Sequence, residues 1–265
     1  MKKYIPEKFK SGKIGDLYRK LFQPENTLVA DMTFESSSNQ DYLDYLIENH
    51  SYKGRLGEIY SESSGMQVSK WAHYIPAYDK LFEDFLNKPD LKFLEIGVCK
   101  GGSLHMWRKY FGKNACIYGI DIDEECLKFT NDGKVRIGSQ TDTKFLDSII
   151  DEMGGVDIIL DDGSHLMNDI KHTFLHLFPK MNENGLYVVE DLHCAFWGTY
   201  GGGYNSKDNF FKFTQDLTKD IHHWYHNKPV MFPSISSNLS SIKIYDSIVA
   251  FEKKKVVKPT LFRKI

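Results

Sequence analysis

Two short stretches of this sequence concentrate groups able to hold a divalent cation and move a proton: Asp161-Asp162-Gly163-Ser164-His165 and Glu190-Asp191-Leu192-His193. Each follows an apolar run of strand type, residues 156–160 and 186–189. In a doubly wound sheet ligands bind beyond the carboxyl ends of the strands. Asp162, Glu190 and Asp191 are therefore expected to converge there. Carboxylates packed together raise one another's pKa unless a cation sits among them. An all-oxygen donor set favours Mg²⁺, with Mn²⁺ or Ca²⁺ as alternatives, and leaves coordination positions for hydroxyls. Such an ion acidifies a hydroxyl that it touches, and a base must then take the proton. His165, three residues beyond Asp162, is the candidate base, because imidazole changes charge near neutrality. His165 and Asp162 are thus the expected catalytic residues.

Three further turns supply polar groups of another kind. The first strand ends in Glu95-Ile96-Gly97 and runs through Val98-Cys99-Lys100 into Gly101-Gly102-Ser103. Glycine there permits close approach of backbone to a ligand, and the following helix offers unpaired N–H groups. A dinucleotide site would prefer GxGxxG; the spacing here resembles instead the first motif of S-adenosylmethionine methyltransferases. The second strand ends at Asp121, placed to accept from two ribose hydroxyls. Asp123, two residues on, reads equally as a helix cap. After the third strand, Ser139 and Gln140 are expected near an adenine edge, and Asp142 either there or capping the next helix. The expected cofactor residues are Glu95, Gly97, Gly101, Ser103, Asp121, Ser139 and Gln140.

These turns must be held by alternating strands and helices. Strands are expected over residues 93–96, 116–120, 135–137, 156–160 and 186–189, and helices over 103–111, 124–130, 143–153 and 168–181. A long helical segment, 208–225, precedes a hairpin of 241–245 and 248–252 turning at Asp246-Ser247. The expected fold is α/β: a Rossmann-like, mostly parallel seven-stranded sheet with a C-terminal antiparallel hairpin. Residues 1–85, with helical patches at 14–22 and 41–48, read as a helical N-terminal region or lid, and residues 86–265 as the cofactor-binding domain.

Taken together, Asp162-Gly-Ser-His165, Glu190-Asp191-Leu192-His193 and the aromatic loop Phe196-Trp197-Gly198-Thr199-Tyr200-Gly201-Gly202-Gly203 resemble the metal-dependent O-methyltransferases that modify deoxysugars of macrolide and related antibiotics. Bacterial sugar methyltransferases and proteins known as cephalosporin hydroxylases share these carboxylates. The resemblance covers about residues 69–254. It implies that Asp162, Glu190 and Asp191 coordinate Mg²⁺ and that His165 is the base. It also implies S-adenosylmethionine as the methyl donor and a saccharide or glycosylated small molecule as the acceptor. Residues 70–78, Lys-Trp-Ala-His-Tyr-Ile-Pro-Ala-Tyr, resemble the segment that closes over cofactor and substrate in that family, which puts Tyr74 at the cofactor. His193, Trp197 and Tyr200 are expected at the acceptor, where ring faces suit a sugar. A homodimer or larger homo-oligomer is implied by resemblance alone.

Composition narrows the classes. With 34 Lys+Arg against 36 Asp+Glu among 265 residues, no basic stripe could follow a phosphate backbone, so nucleic acid is not an expected partner. Lys253, Lys254, Lys255 and Lys258 read as a solvated edge. The 41% hydrophobic content suffices for a large core, yet no apolar run approaches the ~20 residues of a membrane span. Cys99, Cys116, Cys126 and Cys194 form no CxxC pair, and no leader pattern opens the chain, which points to a reducing cytoplasm. His172 and His176 are four apart on a helix without a third ligand, and His222, His223 and His226 read as a solvated face. Competing readings are a methyltransferase for a catechol, polyketide or phosphorus-containing metabolite, an NAD-dependent oxidoreductase, and a non-catalytic cofactor-binding scaffold.

Overall fold

The computed structural model describes residues 39–62 and 67–264. Helices α1 (Asn39–His50), α2 (Arg55–Ser61) and α3 (Tyr74–Phe82) precede the sheet. Five parallel strands with their connections follow: β1 (Lys92–Ile96), α4 (Gly102–Phe111), β2 (Cys116–Asp121), β3 (Lys134–Ile137), α5 (Thr143–Met153), β4 (Ile158–Asp161), α6 (Met167–Leu177) and β5 (Leu186–Val189), with a 3₁₀ turn (Glu124–Lys128) in place of a helix between β2 and β3. Helix α7 (Phe210–Ile221) leads through a short helical turn (Pro233–Ser236) to the hairpin β6 (Leu239–Tyr245) and β7 (Ile248–Lys253). Strand order is β3-β2-β1-β4-β5-β7-β6, with β7 antiparallel to β5 and to β6. The expected seven-stranded sheet with its antiparallel hairpin is what forms.

The inner strands are apolar at successive positions because both faces of a parallel sheet are covered. Leu94, Ile96, Ile159, Tyr187, Val189 and Phe251 pack on one face with α5, α6 and α7. Phe93, Ile117, Ile158, Leu160, Val188 and Ala250 pack on the other with α3 and α4. On this second face Trp107 of α4 is fully buried and meets Tyr78 and Phe82 of α3 edge-on. Burial of rings of this size contributes about 1.5–3 kcal/mol each. The second face also takes in Leu46 of α1 and Leu56 of α2. Residues 39–85, where described, thus share a hydrophobic core with the sheet. The expected helical patch at 14–22 lies outside the described residues.

Most differences from expectation concern helix ends. The helix expected over 168–181 starts at Met167 and gives way to a 3₁₀ turn, Phe178–Lys180, where Pro179 cannot donate to an α-helical ladder. Lys253 is not on a solvated edge: the residue is 5% exposed and its ammonium donates to the carbonyls of Pro179 and Met181. The four cysteines are free thiols. Among the described residues no helix is long and apolar enough to cross a membrane.

Candidate active site

The glycine turn and the acidic loops meet because β1 lies between β2 and β4. Gly97 has φ +97°, and a Cβ there would fall 2.1 Å from the Asp162 carbonyl oxygen, so only glycine lets the β1 turn pass under the β4 turn. Gly102, at the start of α4, lies under the carbonyl of Gln67, which a Cβ would meet at 2.2 Å. The segment leading into α3 therefore crosses the glycine turn as a strap. Asp121 ends β2 facing the same turn: its Oδ2 accepts from Val98 N at 2.8 Å and Cys99 N at 3.1 Å, and its Oδ1 from Asp123 N at 3.0 Å. Partial burial works against its charge, but the three N–H groups outweigh it and hold the carboxyl below its ordinary range. Asp123 and Asp142 act as N-caps, accepting from Glu125 N and from Lys144 N and Phe145 N.

Four of the expected cofactor residues have side chains engaged within the protein. Glu95 is fully buried, accepts from Ser103 Oγ at 2.9 Å and Trp107 Nε1 at 3.1 Å, and so anchors α4 to β1 from beneath the turn. Ser103 is spent on that anchor. Gln140 is also turned inward: its Nε2 donates to Asp161 Oδ1 and Thr173 Oγ1, each at 3.2 Å, and its Oε1 accepts from Ser164 N at 2.7 Å. Its side chain braces the loop after β4. Tyr74 is not in the glycine turn; its hydroxyl donates to Asp191 Oδ1 at 2.6 Å. Gly97, Gly101 and Ser139 remain on the turns at the carboxyl edge, Ser139 half-buried with its Oγ 2.9 Å from Thr141 Oγ1.

The parallel ladder runs one residue past β4 and β5, through Asp162 N to Ile96 O and Glu190 N to Asp161 O, which sets the acidic residues at one level. Ligand atoms of Asp162, His165 and Asp191 lie within 4.8 Å of one another, and His165 Nε2 is 3.8 Å from Asp162 Oδ1. His165 (φ +54°) and Asp191 (φ +57°) both hold left-handed backbone, a cost non-glycine residues carry where the surroundings over-determine them. Around His165 the bracing is explicit, since Ser164 Oγ donates to Asp169 Oδ2 at 3.0 Å and Ser164 N is held by Gln140. The two half-buried carboxylates are oxygen donors that fit a hard divalent cation, and the imidazole of His165 stands beside them.

Glu190 stands apart from that triad. It is buried, and the ammonium of Lys70 lies 2.8 Å and 2.7 Å from its two oxygens and 2.6 Å from Asp162 Oδ2. Tyr78 also donates to Glu190 Oε2. Of the expected trio, Asp162 and Asp191 stand beside His165, and Glu190 lies deeper in an ion pair with Lys70. Burial raises the Glu190 carboxyl, and Asp162 adds to that; Lys70 works in the opposite direction. For Lys70, burial alone would depress the ammonium, but Asp162 and Glu190 outweigh it and hold it above its ordinary range.

Aromatic rings enclose the triad. His193 lies 5.0 Å from the Trp197 ring and 5.7 Å from Trp71, Trp197 5.9 Å from Tyr200, and Tyr200 6.3 Å from His165. The expected acceptor residues His193, Trp197 and Tyr200 are brought together beside the carboxylates. Lys70, Trp71 and Tyr78 belong to the segment 70–78 read from sequence as closing over the site, but only Tyr74 in it carries an assigned role there; a lysine just before tyrosines four apart on an apolar helix is the signal for the others. Four other histidines take structural places: His176 pairs with Asp147, and His222, His223 and His226 bond carbonyls in the last turns of α7.

Residues 94–192 match a methyltransferase domain family. The chain is 36% identical over 161 residues to mycinamicin VI 2''-O-methyltransferase of Micromonospora griseorubida, a match covering 57% of this chain and 39% of that protein. It is 34% identical over 164 residues to 8-demethyl-8-alpha-L-rhamnosyl tetracenomycin-C 2'-O-methyltransferase of Streptomyces olivaceus, covering 58% and 43%. The matched part thus spans about two fifths of these relatives. Among solved structures, the MycE methyltransferase from the mycinamycin biosynthetic pathway in complex with Mg, SAH and mycinamycin VI superposes with a TM-score of 0.68 at 30% identity, covering 77% of this chain and 55% of that one. The fold is the Rossmann-like class I methyltransferase fold, and the resemblance read from the acidic motifs is to proteins of the sugar O-methyltransferase kind.

Proposed function

We propose that this chain is a metal-dependent O-methyltransferase that moves a methyl group from S-adenosylmethionine to a hydroxyl of a sugar-like acceptor carried on a small metabolite. The observation that carries this reading is the convergence of Asp162, His165 and Asp191, walled by aromatic rings, at the sheet edge beside the glycine turn. The names and bound groups of the similar proteins support it.

In this reading the donor lies along the turn from Gly97 to Gly101, with Asp121 and the Ser139 turn bordering it. Asp162 and Asp191 would hold Mg²⁺, with Glu190 behind them as the third carboxylate. A bound divalent cation would supply Lewis acidity to the acceptor hydroxyl. His165 Nε2 takes the hydroxyl proton, and the oxygen forms its new bond to the methyl carbon as the carbon–sulfur bond breaks. Trp197, Tyr200 and His193 orient the sugar and exclude water, so the chain's own contribution is mainly positioning. The edge offers no GxGxxG cradle, which sets aside nicotinamide chemistry. The acceptor is a glycosylated small molecule, the enzyme works in the cytoplasm, and it assembles as a homo-oligomer.

Calorimetric titration with S-adenosylmethionine in chelated buffer, and again with excess Mg²⁺, tests the reading. Donor binding in both conditions, followed by methyl transfer to a glycosylated acceptor only when Mg²⁺ is present, is the expected result. Absence of donor binding in both would remove its basis.

A further inference from the structure

Lys70 is the least expected member of this edge. Its side chain is 2% exposed, and its ammonium meets three carboxylate oxygens, one on Asp162 and two on Glu190. Glu95 lies near enough to add to the field that keeps it charged. The residue arrives from outside the sheet, on the strap whose Gln67 carbonyl covers Gly102. One short segment therefore touches the glycine turn and inserts a cation among the acidic loops.

An ammonium and a divalent ion placed against the same carboxylate repel each other, and in a buried site that repulsion is weakly screened. The same ammonium prevents Asp162 and Glu190 from repelling each other when no other cation is near. Asp162 divides its oxygens accordingly, Oδ2 toward Lys70 and Oδ1 toward His165.

We propose that Lys70 is a built-in counter-ion of the Asp162–Glu190 pair that competes with a divalent cation for this edge, so that the strap carrying it sets how tightly the site holds metal. Lys70 is a positioning residue here; it acts through the two carboxylates. The inference rests on the metal-dependent reading above. It adds that affinity for the ion is held down by the chain itself, and that the strap over the glycine turn must shift for the ion to be held most tightly.

The test uses the full chain without donor or acceptor. Free Mn²⁺ is counted by its solution paramagnetic resonance signal against wild type, Lys70→Met and Lys70→Arg, with melting curves to confirm folding. Competition predicts that K70M binds Mn²⁺ about tenfold tighter or more, since one adjacent positive charge is gone. K70R, which keeps the charge, should stay within about threefold of wild type. A merely structural lysine predicts the reverse for K70M, equal or weaker binding, and that result overturns the proposal. Amine acetylation of wild-type Lys70, read by mass spectrometry, is a second measurement that does not depend on a variant folding. Saturating Mn²⁺ should raise its labelling, and unchanged labelling counts against competition. If wild type binds Mn²⁺ and K70M binds no tighter, only this inference fails; if neither binds, the metal-dependent reading fails with it.

Discussion

His193 Nδ1 lies 2.8 Å from Ser247 Oγ, a hydroxyl at the tip of the turn joining the last two strands. The same Oγ accepts from the His193 backbone N–H at 2.9 Å, so the hairpin fixes both the ring and the main chain of a residue in the aromatic enclosure. Burial holds the His193 imidazole below its ordinary pKa, against the pull of Asp191, and keeps it neutral at pH 7. Ser247→Ala frees the ring. Losing both hydrogen bonds, about 1 kcal/mol each, should raise KM for the acceptor by roughly fivefold to thirtyfold. Donor affinity should not change, and steady-state kinetics with both substrates varied would show whether the effect is confined to the acceptor.

His165→Ala should lower turnover by roughly 10²–10⁴, the usual contribution of a positioned base. Its ring meets Asp162 and Tyr200, so calorimetric donor affinity should match wild type. Loss of donor binding in this variant would refute the base assignment.

Gly97→Ala forces a methyl group to within 2.1 Å of the Asp162 carbonyl, on backbone at φ +97°. Neither element can yield easily, because each is a strand end in the middle of the sheet. Destabilisation of roughly 2 kcal/mol or more is expected, seen as a lower melting temperature. Stabilisation by added Mg²⁺ should shrink as well, since the clash displaces Asp162.

Burial pushes the Glu95 carboxyl up to about 7, even though the Lys70 ammonium works the other way. Its folded-state value therefore exceeds the unfolded one, and the native state keeps its proton to higher pH. The corresponding stability is present below about pH 4.5 and is lost as pH rises toward 7, by on the order of 3 kcal/mol. Glu95→Gln should flatten that decline. Denaturant titrations at pH 5 and pH 8 would test this through the slope between them; an unchanged slope would show that Glu95 ionises as readily folded as unfolded.

Removing divalent cations with a chelator should abolish methyl transfer while leaving S-adenosylmethionine binding intact, and Mg²⁺ should restore activity. Persistence of transfer in chelated buffer would exclude a metal role for Asp162 and Asp191.

What the sequence determined by itself was whatever depends on period and on neighbours along the chain. The apolar runs of the five parallel strands, the hairpin turning at Asp246-Ser247, and the placing of Asp162, Glu190 and Asp191 at strand ends all follow from local pattern, whereas Asp123 and Asp142 read equally as ligands or caps until the structure makes both N-caps. Direction across the sheet is not local. Glu95 and Gln140 occupy cofactor-edge positions in sequence yet point inward, because Trp107 and Ser103 on α4, and Thr173 and the Ser164 backbone, offer hydrogen bonds that a buried polar side chain must take. Lys70 is 92 residues from Asp162 and 120 from Glu190 along the chain. No spacing rule links them; only the packing of α3 against Trp107 brings the strap across the glycine turn and sets a buried ammonium between two carboxylates that the sequence had left to an ion.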